Sequence, residues 1–117
     1  MLDVLDELNS RPGIRGSLVA TPDGMVVASR LQGTFDPETA AALTSALLGG
    51  AHEVARHCGG QAMSRFVLVS TRGKVIMVDL GNAYLVVVTD RHIDLKDGLI
   101  EIESAAQTLR KMGRLPV

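Results

Sequence analysis

Three short apolar runs crowd the second half of the chain: Phe66-Val67-Leu68-Val69, Val75-Ile76-Met77-Val78 and Leu85-Val86-Val87-Val88. None alternates with polar residues, so as strands they must be covered on both faces. The links between them, Arg72-Gly73 and Gly81-Asn82, have the composition of two-residue hairpin turns. The segments Ser64–Thr71, Lys74–Leu80 and Ala83–Thr89 therefore read as an antiparallel meander. Such a sheet requires helices on each side, and the rest of the chain has to supply them.

Leu2, Leu5 and Leu8 recur at every third position, so residues 2–10 read as a short amphipathic helix closed by Arg11-Pro12-Gly13. A hairpin follows, with strands Ile14–Thr21 and Met25–Ser29 around Pro22-Asp23-Gly24, whose glycine accepts the positive φ of a tight turn. Asp36 as N-cap, Pro37 at the first helical position and Glu38 at the positive end of the dipole open a long helix. Gly59-Gly60 ends it near Cys58. A last helix runs from Asp94 to Met112, with Asp94 and Asp97 at its start and Leu95, Leu99, Ile102, Ala106, Leu109 and Met112 on one face. Gly113 before Leu115 and Pro116 fits a Schellman-type stop. The order helix, two strands, helix, three strands, helix predicts an α/β (α+β) domain. Its five-stranded antiparallel sheet is sandwiched by helices.

The long helix has more apolar surface than one sheet covers. Ala40, Leu43, Leu47, Ala51, Val54 and Cys58 form a central stripe, assigned to the sheet. Thr44, Leu48 and Ala55 widen it on one side, Ala46 and Gly50 on the other. The apolar arc spans about 200°, against somewhat over 100° for an ordinary surface helix. A second copy of the chain is the expected cover for the excess. Only Ser45, Gly49, His52 and Arg56 look suited to water. Gly49 and Gly50 each cost about 1 kcal/mol relative to alanine in mid-helix, which close approach of another helix would explain.

At 117 residues the chain makes one domain, spanning 1–117, with a core of small aliphatics: 46% of residues are hydrophobic but only 3% aromatic. A net charge of −1 gives no electrostatic reason to expect nucleic acid or an anionic membrane. The single cysteine excludes an intrachain disulfide and fits a reducing cytoplasm. The apolar runs are too short to span a bilayer, and the acidic amphipathic N-terminus is unlike a secretion signal.

No chemistry-bearing constellation assembles. His52, His57 and Cys58 lack the spacing of zinc ligands, the two imidazoles standing roughly 140° apart around the helix. His92 has no evident partner. Neither a phosphate loop nor a Gly-x-Ser-x-Gly elbow is present. Asp79, near a buried strand end, is assigned to a turn amide in preference to a partner. Arg30 and Arg72, conceivable as arginines donated to a GTPase in trans, read as ordinary turn and loop residues. No catalytic residue, metal or cofactor is expected.

The ordered series now on the page resembles the roadblock/dynein-light-chain family, in its short prokaryotic branch of predicted regulators of Ras-like GTPases. It is carried by the Leu-x-x-Leu-x-x-Leu helix, Ile14-x-Gly16-Ser17-Leu18-Val19, and Asp23-Gly24-Met25-Val26-Val27-Ala28. Ala40-Ala41-Ala42-Leu43, the meander with Gly73 and Gly81, and Gly98-Leu99 continue it. The resemblance implies a profilin-like sheet with the long helix on one face and the terminal helices on the other. It implies dimers with long helices side by side and the strand Ser64–Thr71 paired with its copy. It also implies a non-enzymatic platform or regulator for small Ras-like GTPases, possible stimulation of GTP hydrolysis included.

The candidate dimer surface is Ala46, Gly50, Glu53 and His57 with Arg65, Phe66, Val67, Leu68 and Val69. The opposite flank, with Leu48 and Ala55, would serve equally. The candidate GTPase surface is Ser45, Gly49, His52 and Arg56. Two rivals stand beside this reading: a small-molecule sensor with a pocket under the long helix, and a purely structural dimerisation module.

Overall fold

The long crossover helix decides the topology, because it carries the chain from one edge of the sheet to the other. In the computed structural model, which describes residues 1–33, 36–59 and 64–113, the elements are α1 (Leu2–Asn9), β1 (Ile14–Ala20), β2 (Val26–Leu31) and α2 (Pro37–His57). They continue with β3 (Arg65–Val69), β4 (Gly73–Asp79), β5 (Tyr84–Asp90) and α3 (Leu95–Gly113). The sheet is wholly antiparallel, in the order β2-β1-β5-β4-β3. Four gaps of about 4.8 Å separate its edges. A helix rising 1.5 Å per residue covers that span with length to spare. Among the described residues, no helix is long and apolar enough to cross a membrane.

The unbroken apolar strands are explained by a core on each face. Toward α1 and α3, Val19, Ile76, Val78, Leu85 and Val87 pack with Leu5, Leu8, Ile102, Ala106 and Leu109. Toward α2, Leu18, Ala20, Met77, Tyr84 and Val86 pack with Ala41 and Leu48. Leu85, Val87, Ile76 and Val78 are fully buried, as a two-sided sheet requires. Ser17, buried in the same sheet, donates to Asn9 Oδ1 at 2.7 Å and so keeps its hydroxyl paired.

Local chemistry departs from the sequence-based expectation at several ends. Strand β2 begins one residue late, because Met25 accepts from the Thr21 amide (2.9 Å) and donates to Thr21 Oγ1 (3.0 Å), closing the turn. It runs on to Leu31, opposite Gly16. Gly73 opens β4 instead of completing a turn, and a Cβ there would stand 2.1 Å from the Thr89 carbonyl oxygen. That close approach is why the position is glycine. Asp36 precedes α2 as expected, but its carboxylate accepts from the Thr39 hydroxyl (2.6 Å) and caps no amide. This bond is the main reason the Asp36 carboxyl is held below its ordinary range. Asp94, by contrast, accepts from the Lys96 amide at 3.0 Å. The stops involving Gly60, and Leu115 with Pro116, lie outside the described residues.

Candidate functional site

Helix α2 turns a different side to the sheet from the one its apolar density suggests. Its buried residues are Ala41, Thr44 and Leu48, flanked by half-buried Ala40, Ser45, Ala51 and Ala55. The expected central stripe is instead largely open: Leu43 is 61%, Leu47 40% and Val54 63% exposed. Cys58, expected along the core, is exposed beyond the helix end. The sheet therefore takes the flank with Thr44, Leu48 and Ala55, and the stripe with Ala46 and Gly50 is left facing outward.

The reason lies in contacts on the other flank. Gly24, at φ +93°, brings the β1–β2 turn against α2, so that a Cβ there would touch Ser45 Cβ at 3.4 Å. Ser45 Oγ donates to the Pro22 carbonyl at 2.6 Å. About two turns further on, His52 Nε2 lies 3.0 Å from the Tyr84 hydroxyl, hydrogen-bonded, with the rings edge to face. Two polar residues thus fasten the helix and rotate it away from its apolar midline. Thr44 tolerates burial because its hydroxyl is satisfied within the helix, donating to the Ala40 carbonyl at 2.7 Å.

Of the four residues assigned to a GTPase, Gly49, His52 and Arg56 are exposed and Ser45 is half-buried; Arg56 pairs with Glu53. Ser45 and His52 are occupied as described. The helical residues assigned to a dimer are all exposed: Ala46, Gly50, Glu53 and His57. The opposite flank is not an equal alternative, since Leu48 is 5% exposed and Ala55 half-buried. A Cβ at Gly49 or Gly50 would meet nothing within 4 Å, so neither glycine serves packing inside this chain.

Strand β3 adds a sheet edge. Among the described residues it pairs with β4 alone, in unbroken register from Arg65↔Val78 to Val69↔Lys74. Phe66 and Leu68 share the α2 side of the sheet, being opposite Met77 and Val75. Leu68 is 40% and Val69 65% exposed, whereas Arg65 is held toward α3 by Glu103 at 3.2 Å. A regular apolar edge strand and an exposed apolar helix stripe are each the kind of surface that a protein partner covers.

Other candidate groups resolve into structural roles. Asp79 Oδ1 accepts from the Gly81 amide at 2.7 Å, the turn role expected of it. Arg30 pairs with Asp6 at 2.9 Å. His57 Nδ1 lies 2.9 Å from the Glu53 carbonyl oxygen on its own helix, remote in direction from His52. Among the described residues no group of three or more His, Cys, Asp or Glu is arranged to hold a metal.

Comparison with known proteins agrees with this architecture. A relative from Methanocaldococcus jannaschii, the uncharacterized protein MJ1340, is 41% identical over 115 residues, covering 96% of this chain and 99% of the relative. The Roadblock/LC7 domain from Streptomyces avermitilis superposes with a TM-score of 0.90 at 18% identity, covering 98% of each chain. Myxococcus xanthus MglB superposes with a TM-score of 0.87 at 20% identity, over 94% of this chain and 91% of that one. The Roadblock/LC7 domain model matches residues 1–89. With the sheet order, the helix layers and these matches in agreement, the chain belongs to the Roadblock/LC7 domain family.

Proposed function

We propose that this chain is a cytoplasmic, non-enzymatic dimeric regulator or scaffold for a small Ras-like GTPase. The observation that carries the reading is that two exposed apolar surfaces lie on the same side of the sheet. Leu43, Leu47, Gly50 and Val54 on α2 stand exposed, and Phe66 and Leu68 of the regular edge strand β3 lie on the α2 side of the sheet. Covering the helix stripe removes apolar surface from water at about 25 cal/mol per Å². Pairing β3 with its copy satisfies the outward backbone groups of the edge. The two-fold symmetry of such a pair brings the same patch from each chain into contact. Ala46, Gly50, Glu53 and His57 with Arg65–Val69 are the proposed dimer surface.

The GTPase partner rests on family membership and on what remains solvent-facing once the copies have paired. Gly49, His52 and Arg56 stay exposed on the outer strip, with Ser45 half-buried against the β1–β2 turn. A regulator shifts its partner's equilibrium only by binding one nucleotide state better than the other. The test is a pull-down of small Ras-like GTPases from the source organism, loaded separately with GTP analogue and GDP, with wild type and Arg56→Glu. Preferential capture of one state, lost in Arg56→Glu, is the expected result. Equal capture of both states would leave the scaffold role, and no capture would defeat the assignment. The sensor alternative is disfavoured because Leu18, Leu48, Met77, Tyr84 and Val86 fill the space between α2 and the sheet.

A further inference from the structure

The two edges of the sheet are built differently, and the difference bears on how self-association ends. Edge strand β3 is straight in register, and its one charge, Arg65, stands at its first position, paired with Glu103 of α3 at 3.2 Å, so that Phe66–Val69 form an uncharged run. Edge strand β2 is interrupted. Its partners on β1 run Val19↔Ala28 and then Ala20↔Val26, leaving Val27 without a partner as a bulge. Val27 is 49% exposed on this edge. Three residues on, Arg30 is exposed as well, its guanidinium held by Asp6 of α1 at 2.9 Å and its carbonyl accepting from Asn9 Nδ2 at 2.7 Å. A bulge twists an edge out of the plane a new strand needs, and a charged side chain on it adds a desolvation cost.

We infer that the β2 edge is closed to strand pairing by the Val27 bulge and by Arg30 tethered to α1, so that self-association uses one sheet edge and stops at two copies. The inference rests on the reading that β3 pairs with a second copy. An edge pair that uses the same strand from both chains is closed, whereas two usable edges per chain would propagate without limit. Arg30, which the sequence offered only as a loop residue or a trans arginine, thereby gains a role. Its ion pair with Asp6 is too exposed to matter much for stability. Its position on the edge is what counts.

The test is to open the edge. Val26 packs on the α2 side of the sheet and Ala28 on the other. Deleting Val27 therefore regularises β2 without turning either side chain over. The deletion combined with Arg30→Val is compared with wild type by sedimentation velocity over a range of concentrations, with circular dichroism confirming native secondary structure. The expected result is a weight-average mass at least about double that of wild type and rising with concentration. Restoring Arg30 in the deletion background should reduce it. Should the deletion fail to fold, Asp6→Asn with Arg30→Val removes the charged tether alone; with the Val27 bulge still in place it should give a smaller rise in mass with concentration than the deletion would. A mass unchanged from wild type in folded variants overturns the inference. A monomeric wild type would defeat the β3 reading instead, and the opened variant should then pair through β2 alone.

Discussion

Gly50 offers a test in which one substitution should move two quantities in opposite directions. The residue lies inside α2, exposed, with open space where a Cβ would be. Replacing it with leucine removes the helix-interior cost of glycine, a gain of about 0.7 kcal/mol for the isolated fold. For a domain of this size that is about 3–4 °C in Tm. In the proposed dimer the same leucine stands between two helix backbones. Overpacking costs about 1–3 kcal/mol per inserted side chain, and the two-fold axis makes the insertion twice. The low end, about 2 kcal/mol, weakens Kd nearly thirtyfold. Sedimentation at graded concentrations reads the Kd. Urea unfolding below that concentration reads the monomer. Gly49→Leu, one helical step round, should give the stability gain without the loss of association. An unchanged or tighter Kd for Gly50→Leu would refute the close approach of helices, and a less stable monomer would refute the open-space reading.

Further expectations concern the fold that presents this surface. Gly73→Ala forces a Cβ to within 2.1 Å of the Thr89 carbonyl oxygen, so β4 and β5 must part; urea unfolding should show a loss of about 3 kcal/mol or more. On α3, Ile102→Ala should cost about 3–4 kcal/mol, Ile102 being fully buried, whereas Ile100→Ala, 64% exposed, should change stability by less than about 0.5 kcal/mol. Burial, and secondarily the Asp79 carboxylate, raise the Tyr84 phenol above its ordinary 10.0. The unfolded chain then releases this proton first as pH rises. The contribution is complete below pH 10.0 and is lost as pH climbs through the folded value. Tyr84→Phe should flatten that alkaline loss in urea titrations, and Asp79→Ala should lower the phenol's pKa, read by its ultraviolet absorbance.

Much of the fold was legible in local patterns. The absence of polar alternation in Val75–Val78 and Leu85–Val88 announced a sheet covered twice, and two cores cover it. Asp79 near its glycine turn announced an amide partner, and Gly81 supplies it. The excess apolar arc of α2 was also real. What the helical projection misjudged was its heading: Leu43, Leu47 and Val54 were assigned to the sheet and are exposed. Ser45, read as solvent-facing, is half-buried and bonded to the β1–β2 turn, while His52 is exposed as expected and also hydrogen-bonds Tyr84. No periodicity signals such bonds, because their partners lie 23 and 32 residues away in the chain. The bulge at Val27 was equally silent, since an apolar pair such as Val26-Val27 looks the same in a straight strand.

By itself, then, the sequence determined which segments are helix and strand, their order, and that the sheet carries helices on both sides. Those properties follow from periodicity, capping residues and turn glycines, all of which act over a few neighbouring positions. The tertiary structure decided that β5 lies beside β1, which side α2 turns to the sheet, and which sheet edge is left open. Each of these is a choice among packings that satisfy the same local pattern. The choice is made by contacts between distant residues, such as Gly24 against Ser45 and Tyr84 with His52.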